Sequence, residues 1–173
     1  MKVHLDQIHD EPFAWLETLR VAVEDLDRPE VAALSGIECR GQIQRTDPGF
    51  LLRARLSYSQ RLVCDRCLAE NETPVSVELD LLVEQESSGA DEDERELDED
   101  DLSILRVEGD VLDTEDLVVE QLQLNIPMKP LCRPDCQGLC ASCGKDLNEG
   151  PCGCTPPTDP RWAALGALRG RWT

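Results

Sequence analysis

The sequence contains no long apolar run and few aromatic residues. No stretch approaches the roughly 20 apolar residues of a transmembrane helix, and no apolar signal core follows Lys2. We therefore expect a cytoplasmic protein that makes no membrane contact. Aromatic residues account for only 3% of the chain, but 40% of its 173 residues are hydrophobic, so most of the chain should fold around a core.

Motifs of the common enzyme classes are also missing. The sequence has no Gly-x-Ser-x-Gly nucleophile motif, no glycine-rich phosphate loop and no His-Glu-x-x-His metal motif. Its two histidines, His4 and His9, have no nucleophile motif around them. We therefore predict that the protein is not an enzyme and takes no small-molecule substrate.

Basic residues are scarce relative to acidic ones, at 17 against 36, and the net charge is −19. Much of the excess falls between residues 84 and 101, where Arg95 is the single basic residue. Self-repulsion keeps such runs extended and solvated, so we predict an acidic loop at about residues 86–101. The overall charge opposes long-range approach to RNA and favours a protein partner.

Alternating apolar and polar residues predict an antiparallel hairpin in the middle of the chain. Residues 50–63 and 74–84 both repeat with a period of two, as half-buried strands do. The motif Cys64-Asp65-Arg66-Cys67 falls in the connection between them. Weaker strand signals lie at residues 3–5, 31–43 and 104–107.

Three segments carry helix signals. Pro12 opens a predicted helix that carries Phe13, Trp15, Leu16 and Leu19. A second helix is predicted after a cap at Asp113 or Thr114. A third, C-terminal helix is predicted to begin at Pro160.

Nine cysteines in a chain expected to stay in a reducing compartment indicate metal binding before disulfides. The spacing Cys140-x2-Cys143-x8-Cys152-x-Cys154 is the strongest signal, since zinc prefers four thiolates in a tetrahedron. Gly144 lets the backbone bend behind the second sulfur. Four protein ligands indicate a structural rather than a catalytic zinc.

A second zinc site would combine Cys64 and Cys67 with Cys132 and Cys136. The pairs could instead combine as Cys64/Cys67 with Cys140/Cys143, so the sequence leaves one or two structural zinc ions open. Free thiols or a redox centre are the alternative to metal, because Cys-x-x-Cys also serves redox enzymes. Cys39 has no partner in the sequence and is predicted to be a buried apolar residue.

Arginines are concentrated around the predicted hairpin. Six lie between Leu34 and Ala69, where only three carboxylates oppose them. Four of these arginines are candidate RNA contacts: Arg53, Arg55, Arg61 and Arg66. Alternatively, Arg53, Arg55 and Arg61 could pair across the hairpin with Glu78, Asp80 and Glu84.

The ordered set of motifs resembles a known family. Cys64-Asp65-Arg66-Cys67 is followed by the acidic stretch, by Asn125-Ile126-Pro127, by the segment from Leu131 to Asn148, and by Cys152-Gly153-Cys154. This order resembles the bacterial large ribosomal RNA subunit accumulation protein family, YceD. The resemblance implies a role in accumulation of large-subunit ribosomal RNA.

We therefore expect an α+β fold with an antiparallel sheet that could close into a barrel, a few helices and a zinc-bound tail. The expected division is a sheet domain at residues 1–127 and a cysteine-rich segment with a C-terminal helix at residues 128–173. The expected function is a non-enzymatic factor for 23S ribosomal RNA maturation and ribosome assembly, with ribosomal RNA or a basic ribosomal protein as partner. The alternative is a redox-regulated, zinc-binding chaperone.

Overall fold

The computed structural model describes residues 1–85, 103–155 and 161. The predicted acidic loop at 86–101 and the predicted C-terminal helix lie outside the described residues. The described chain forms the following elements: β1 (Lys2–His4), β2 (Phe13–Leu19), β3 (Val31–Leu34), β4 (Ile37–Arg45), β5 (Phe50–Val63), β6 (Glu70–Gln85), β7 (Ile104–Val107), β8 (Val111–Asp113) and α1 (Thr114–Asn125).

The long strands β5 and β6 form the centre of a six-stranded sheet. They pair antiparallel without a break, from Phe50 opposite Val83 to Val63 opposite Glu70. The other edge of β5 is shared by β4 and β3, while β2 pairs with β4 and β7 pairs with β6. The strands β1 and β8 form a separate two-stranded ribbon. The predicted hairpin, with Cys64 and Cys67 in its connection, is confirmed.

The sheet does not close into a barrel, so that part of the expected fold is wrong. Its outer strands β2 and β7 are not paired with each other, and β7 runs parallel to β6. Closure is unnecessary because α1 covers the apolar face: Leu117 joins one cluster of buried residues, and Val118 and Leu122 join a second. A barrel would have to bury that face on itself.

A strand forms at Phe13–Leu19, where a helix was expected. The apolar residues of this segment fit either period, and pairing with the free edge of β4 decides between them. In the resulting strand Trp15 is buried while Leu16 is 60% exposed. The backbone hydrogen bonds that β4 offers are satisfied only by an extended neighbour.

The predicted helix after Asp113 is confirmed as α1, and the side chain of Asp113 accepts a hydrogen bond from the Glu115 amide at 3.0 Å. It is the one α-helix among the described residues; Leu5–Gln7, Val23–Leu26 and Leu147–Glu149 are single 3-10 turns. The expectation of a few helices is therefore too high for this part of the chain. None of the helices described here has the length and apolar character needed to cross a bilayer.

Gly41 lies in the middle of β4 directly opposite Trp15 and Ala54. A Cβ atom on Gly41 would overlap the Trp15 ring, well inside van der Waals contact. The buried indole therefore occupies the space that any larger residue at this position needs. A glycine that looks unfavourable in a strand is required here by packing.

Replacing Gly41 with Val should lower the free energy of unfolding by roughly 1–3 kcal/mol, because overpacking displaces a buried ring. Urea denaturation followed by far-UV circular dichroism measures the change. Gln42→Val is the matched control, since it adds the same side chain to the exposed face of the same strand. Equal stabilities for the two variants would contradict the packing role of Gly41.

Candidate metal centres

Eight cysteine sulfurs converge in two groups of four. In each group the sulfur atoms all lie within 4.8 Å of one another. The inner centre consists of Cys64, Cys67, Cys132 and Cys136. The outer centre consists of Cys140, Cys143, Cys152 and Cys154. The structure thus brings Cys64 and Cys67 together with Cys132 and Cys136, and not with Cys140 and Cys143.

The spacing of the inner sulfurs fits a tetrahedral metal site. The Sγ atoms of Cys64 and Cys136 are 3.8 Å apart, and those of Cys67 and Cys132 are 3.6 Å apart. A tetrahedron of sulfurs at a zinc–sulfur distance of about 2.3 Å has edges of about 3.8 Å. The inner distances therefore fit a metal ion, and the four outer sulfurs are also close enough together to hold one.

The two Cys-x-x-Cys turns have the same backbone geometry. The Cys64 carbonyl accepts from the Leu68 amide at 2.9 Å, and the Cys140 carbonyl accepts from the Gly144 amide at 2.8 Å. The first cysteine of each turn donates its own amide to the carbonyl five residues later, at 2.9 Å in both. Leu68 and Gly144 both have a positive φ, of 60° and 72°. The predicted bend at Gly144 is present, and Leu68 occupies the equivalent position in the inner turn.

Backbone amides in these turns favour the thiolate form of the first cysteine. The Arg66 amide lies 3.5 Å from the Cys64 sulfur, and the Ser142 amide lies 3.4 Å from the Cys140 sulfur. Burial acts to raise the pKa of Cys64, but amide hydrogen bonds outweigh it and lower that pKa to about 6. Amides of Ser142 and Cys143 lower the pKa of Cys140 to about 6 as well.

Burial and the crowding of sulfurs have the opposite effect on other cysteines of the two centres. Burial, followed by the neighbouring cysteines, raises the pKa of Cys132 to about 12. Hydrogen bonding to Cys143 and the other neighbouring sulfurs raises the pKa of Cys154 to about 12. Four thiolates at these distances repel one another, so full deprotonation requires a cation between them.

The inner centre fastens the tail to the end of the hairpin. The Asp65 amide donates to the Pro130 carbonyl at 2.9 Å, and the Leu139 amide donates to the Arg66 carbonyl at 3.0 Å. The Arg66 guanidinium donates to the Cys136 carbonyl at 2.7 Å. Gly138 has φ of 74°, and a Cβ there would lie 2.9 Å from the Arg66 carbonyl oxygen. Close backbone approach thus accompanies the convergence of sulfurs.

The two centres differ in exposure. Cys64 and Cys136 of the inner centre are each 1% exposed, whereas Cys143 and Cys154 of the outer centre are exposed to solvent. Solvent and competing ligands can therefore reach the outer sulfurs directly. Cys39 is buried in the sheet core at 2% exposure, which confirms its prediction as an apolar core residue.

Sequence reasoning missed Asn148 and the local role of Arg66. The Asn148 side chain lies 3.5 Å from the Cys136 sulfur, and Arg66 bonds the Cys136 backbone. An Asx turn could be suspected at Asp146, whose carboxylate accepts from the Asn148 amide at 2.8 Å. Nothing in the sequence shows that the turn faces a sulfur of the other centre.

The other candidate arginines lie on the exposed face of the sheet and are ion-paired. Arg53 pairs with Asp80 at 3.3 Å, and Arg55 pairs with Glu78. Arg61 pairs with Glu70 at 3.5 Å, not with Glu84 as the cross-strand alternative supposed. These pairs are solvent-exposed and of the kind that stabilise a fold by about 0–1 kcal/mol.

An open groove of about 750 Å³ crosses this face. It is lined by Arg40, Arg53 and Arg55 together with Glu78 and Asp80. Arg40 lies directly opposite Arg55 on the neighbouring strand. No described residue forms an ion pair with Arg40, so within the described part of the chain one cation on the groove has no carboxylate partner.

Leu68 and Gly144 occupy equivalent positions after the two Cys-x-x-Cys turns, and exchanging leucine and glycine there tests the effect of their positive φ. Gly144→Leu should lower the free energy of unfolding by about 1 kcal/mol, because a side chain is disfavoured at positive φ. Leu68→Gly should not lower it, since glycine relieves that strain and Leu68 is already 64% exposed. Denaturation in metal-saturated buffer measures both effects.

Gly153→Leu is the control for this pair, because a Cβ there meets no atom within 4 Å. It adds the same side chain to the same centre without a positive φ. A loss in Gly153→Leu as large as in Gly144→Leu would contradict the conformational explanation.

The chain is similar to a known family and to several mycobacterial proteins. The family model described as "Large ribosomal RNA subunit accumulation protein YceD" matches residues 52–169. Uncharacterized proteins of Mycobacterium bovis and Mycobacterium tuberculosis are each 32% identical over 129 residues, or 75% of this chain and 60% of theirs. An uncharacterized protein of Mycobacterium leprae is 39% identical over 54 residues, or 31% of this chain and 25% of its own.

The chain thus spans about 60% of the length of the first two relatives. No solved structure matches it. The family match extends over more than half of the chain and includes β6, β7, α1 and all eight clustered cysteines. From this match we conclude that the chain belongs to the YceD family, whose name refers to accumulation of the large ribosomal RNA subunit.

Proposed function

We propose that the chain is a non-enzymatic accessory factor for accumulation of large-subunit ribosomal RNA. The family match over residues 52–169 is the observation that carries this proposal. The arrangement of the centres supports a binding protein rather than a catalyst. Four cysteine ligands fill every position of a tetrahedral ion, whereas a catalytic zinc keeps one position for water or substrate.

Each centre is proposed to hold one structural zinc ion. The donor set is four sulfurs, the inner spacing fits a tetrahedron, and backbone N–H groups point at Cys64 and Cys140. Such sites supply folding free energy where a segment has few apolar residues to bury. Zinc would thereby hold the tail segment from Cys132 to Cys154 against the hairpin.

Elemental analysis of the reduced protein should give about two zinc ions per chain, since four thiolates hold one ion. Cys143→Ser should remove the outer ion and Cys67→Ser the inner one, because each breaks one tetrahedral set. Cys39→Ala is the control and should retain both ions. A value of one in the unmodified chain would refute the two-site proposal, and another element in place of zinc would refute the choice of metal.

The exposed sheet face is proposed to contact ribosomal RNA through phosphate groups. Arg40 forms no ion pair with any described residue, Arg55 lies directly opposite it, and Arg53 lies two residues away on the same face of β5. Their ion pairs are exposed and weak, so phosphates can displace the carboxylates at little cost. Arg66 is held by the Cys136 carbonyl, so in this proposal it positions the tail and does not form part of the groove.

The net charge of −19 favours a protein partner, and local charge favours RNA at this groove. Both fit a factor that acts on a ribosomal precursor, where RNA and basic proteins lie together. The redox-regulated chaperone, by contrast, has no support from the comparisons. RNA is the proposed partner of this groove because its three arginines outnumber its two carboxylates.

Substituting Arg40, Arg53 and Arg55 with Gln should weaken binding to a labelled large-subunit ribosomal RNA fragment. If each arginine contacts one phosphate, the slope of log affinity against log salt should fall by about 2. Fluorescence anisotropy at several salt concentrations measures that slope. Salt-independent weakening would contradict a phosphate contact.

The matched control replaces Lys2, Arg20 and Arg28 with Gln, which changes the net charge equally at positions outside the groove. This control should retain most of the salt slope. If both triple variants lose the same slope, the effect comes from overall charge and not from the groove.

In cells, the groove variant should fail to restore large-subunit ribosomal RNA after depletion of the native protein.

A further inference from the structure

We propose that the two metal centres are coupled through Asn148, so that metal in the outer centre strengthens metal binding by the inner one. This inference rests on the proposed metal sites. Asn148 belongs to the chain between Cys143 and Cys152, which are ligands of the outer centre. Its side chain nevertheless reaches Cys136 of the inner centre. One residue thus belongs to the loop of one centre and to the surroundings of the other.

The Asn148 amide uses all of its hydrogen-bonding capacity. Its Nδ2 donates to the Cys136 sulfur at 3.5 Å and to Asp146 Oδ1 at 2.7 Å. Its Oδ1 accepts from the Gln137 amide at 2.8 Å and from the Arg133 guanidinium at 2.8 Å. Two donors and two acceptor positions are what a side-chain amide offers.

These four partners also fix which way the amide faces. A flipped side chain would place its oxygen against the Cys136 sulfur and the Asp146 carboxylate. It would also place its NH2 group against the Gln137 N–H. Because every contact would then have the wrong polarity, the orientation that donates to sulfur is determined by the network.

A donor to a metal-bound thiolate stabilises the charge that four sulfurs leave on the complex. Residues of this kind orient a ligand, and their loss commonly costs about 10- to 100-fold in metal affinity. Asn148 is therefore a positioning residue for the inner centre. Its sulfur contact acts on Cys136, which is 1% exposed and has little access to water as a substitute donor.

The position of Asn148 depends in turn on the outer centre. Its loop is attached to the inner segment by the Leu147 amide, which donates to the Gly138 carbonyl at 2.9 Å. Closure of the outer centre is a further restraint on the loop, because its ligands lie at both of the loop's ends. Without an outer metal the loop gains conformational freedom, and holding Asn148 against Cys136 then costs entropy. Coupling of this kind is reciprocal between two binding equilibria.

The difference in exposure between the two centres predicts the order in which their ions leave. Chelators reach the exposed Cys143 and Cys154 first, so the outer ion should leave first. Its departure would then loosen the inner ion. The two ions should therefore leave in order, outer before inner, and not independently.

Cadmium-113 NMR of the full chain tests the coupling, since each cadmium-loaded tetrathiolate gives its own resonance. Chelator titration gives an affinity for each centre. Replacing both Cys143 and Cys152 with Ser should remove the outer resonance and lower the inner affinity by about 10-fold or more. Asn148→Ala should lower the inner affinity to a similar degree. Gln42→Ala, which removes an exposed side-chain amide on β4 from a position remote from every cysteine of either centre in sequence, is the control and should leave both affinities unchanged.

The decisive variant combines Asn148→Ala with the two outer serines. If Asn148 carries the coupling, its loss should add little once the outer centre is gone. Arg133→Ala provides a second test, because it frees the Asn148 oxygen without touching a sulfur, and it should lower the inner affinity by a smaller factor. Circular dichroism of each variant monitors the sheet.

An inner affinity that is unchanged in the outer-serine variant would overturn the coupling. Independent, multiplicative losses in the combined variant would overturn the role of Asn148. Failure of the unmodified chain to give any cadmium resonance would instead refute the metal sites themselves. That result is distinguishable from the other two, which both require a loaded inner centre.

Discussion

The unbroken register between β5 and β6 is the constraint on which the remaining structure depends. A slip of one residue would turn every side chain of a strand to the other face, so this pairing decides that Arg53 and Arg55 face outward. The same pairing ends at Val63 and Glu70, which sets the position of the Cys64–Cys67 turn. The exposed cations and the anchor of the inner centre are thus both consequences of one register.

At the end of that hairpin, local and distant interactions reinforce one another. The Cys-x-x-Cys turn is closed by backbone hydrogen bonds within six residues, and further backbone bonds join it to the tail. Its sulfurs become half of a centre only when residues 130–139 pack across Arg66. The tail has little apolar surface of its own, and metal held by its sulfurs would supply the order that side-chain burial supplies in the sheet.

Much of this arrangement could be predicted from the sequence where the signal is local. Strict alternation predicts β5 and most of β6, Asp113 predicts the start of α1, and close spacing predicts the outer cysteine set. Phe13–Leu19 could not be assigned correctly, because its apolar residues fit two periods and the edge of β4 makes the choice. The parallel pairing of β7 and the open sheet depend on how α1 covers the core, which no local pattern reports.

The inner cysteine set could be predicted only in part from the sequence. Its two pairs are separated by 65 residues and by the acidic stretch, so spacing alone left two combinations open. Contacts of the Asp65 and Arg66 backbone with Pro130 and Leu139 decide between them. The role of Asn148 is harder still to predict from the sequence, because it depends on the orientation of one side-chain amide between two loops.

The carboxylates opposite Arg53 and Arg55 have a consequence for selectivity. An anion that binds Arg53 or Arg55 would have to displace Asp80 or Glu78, so an isolated anion would gain little by replacing a partner that is already present. A polymer with closely spaced phosphates displaces both at once and gains Arg40 as well. If the proposed RNA contact forms, these pairs would therefore favour polyanions over small anions at this face.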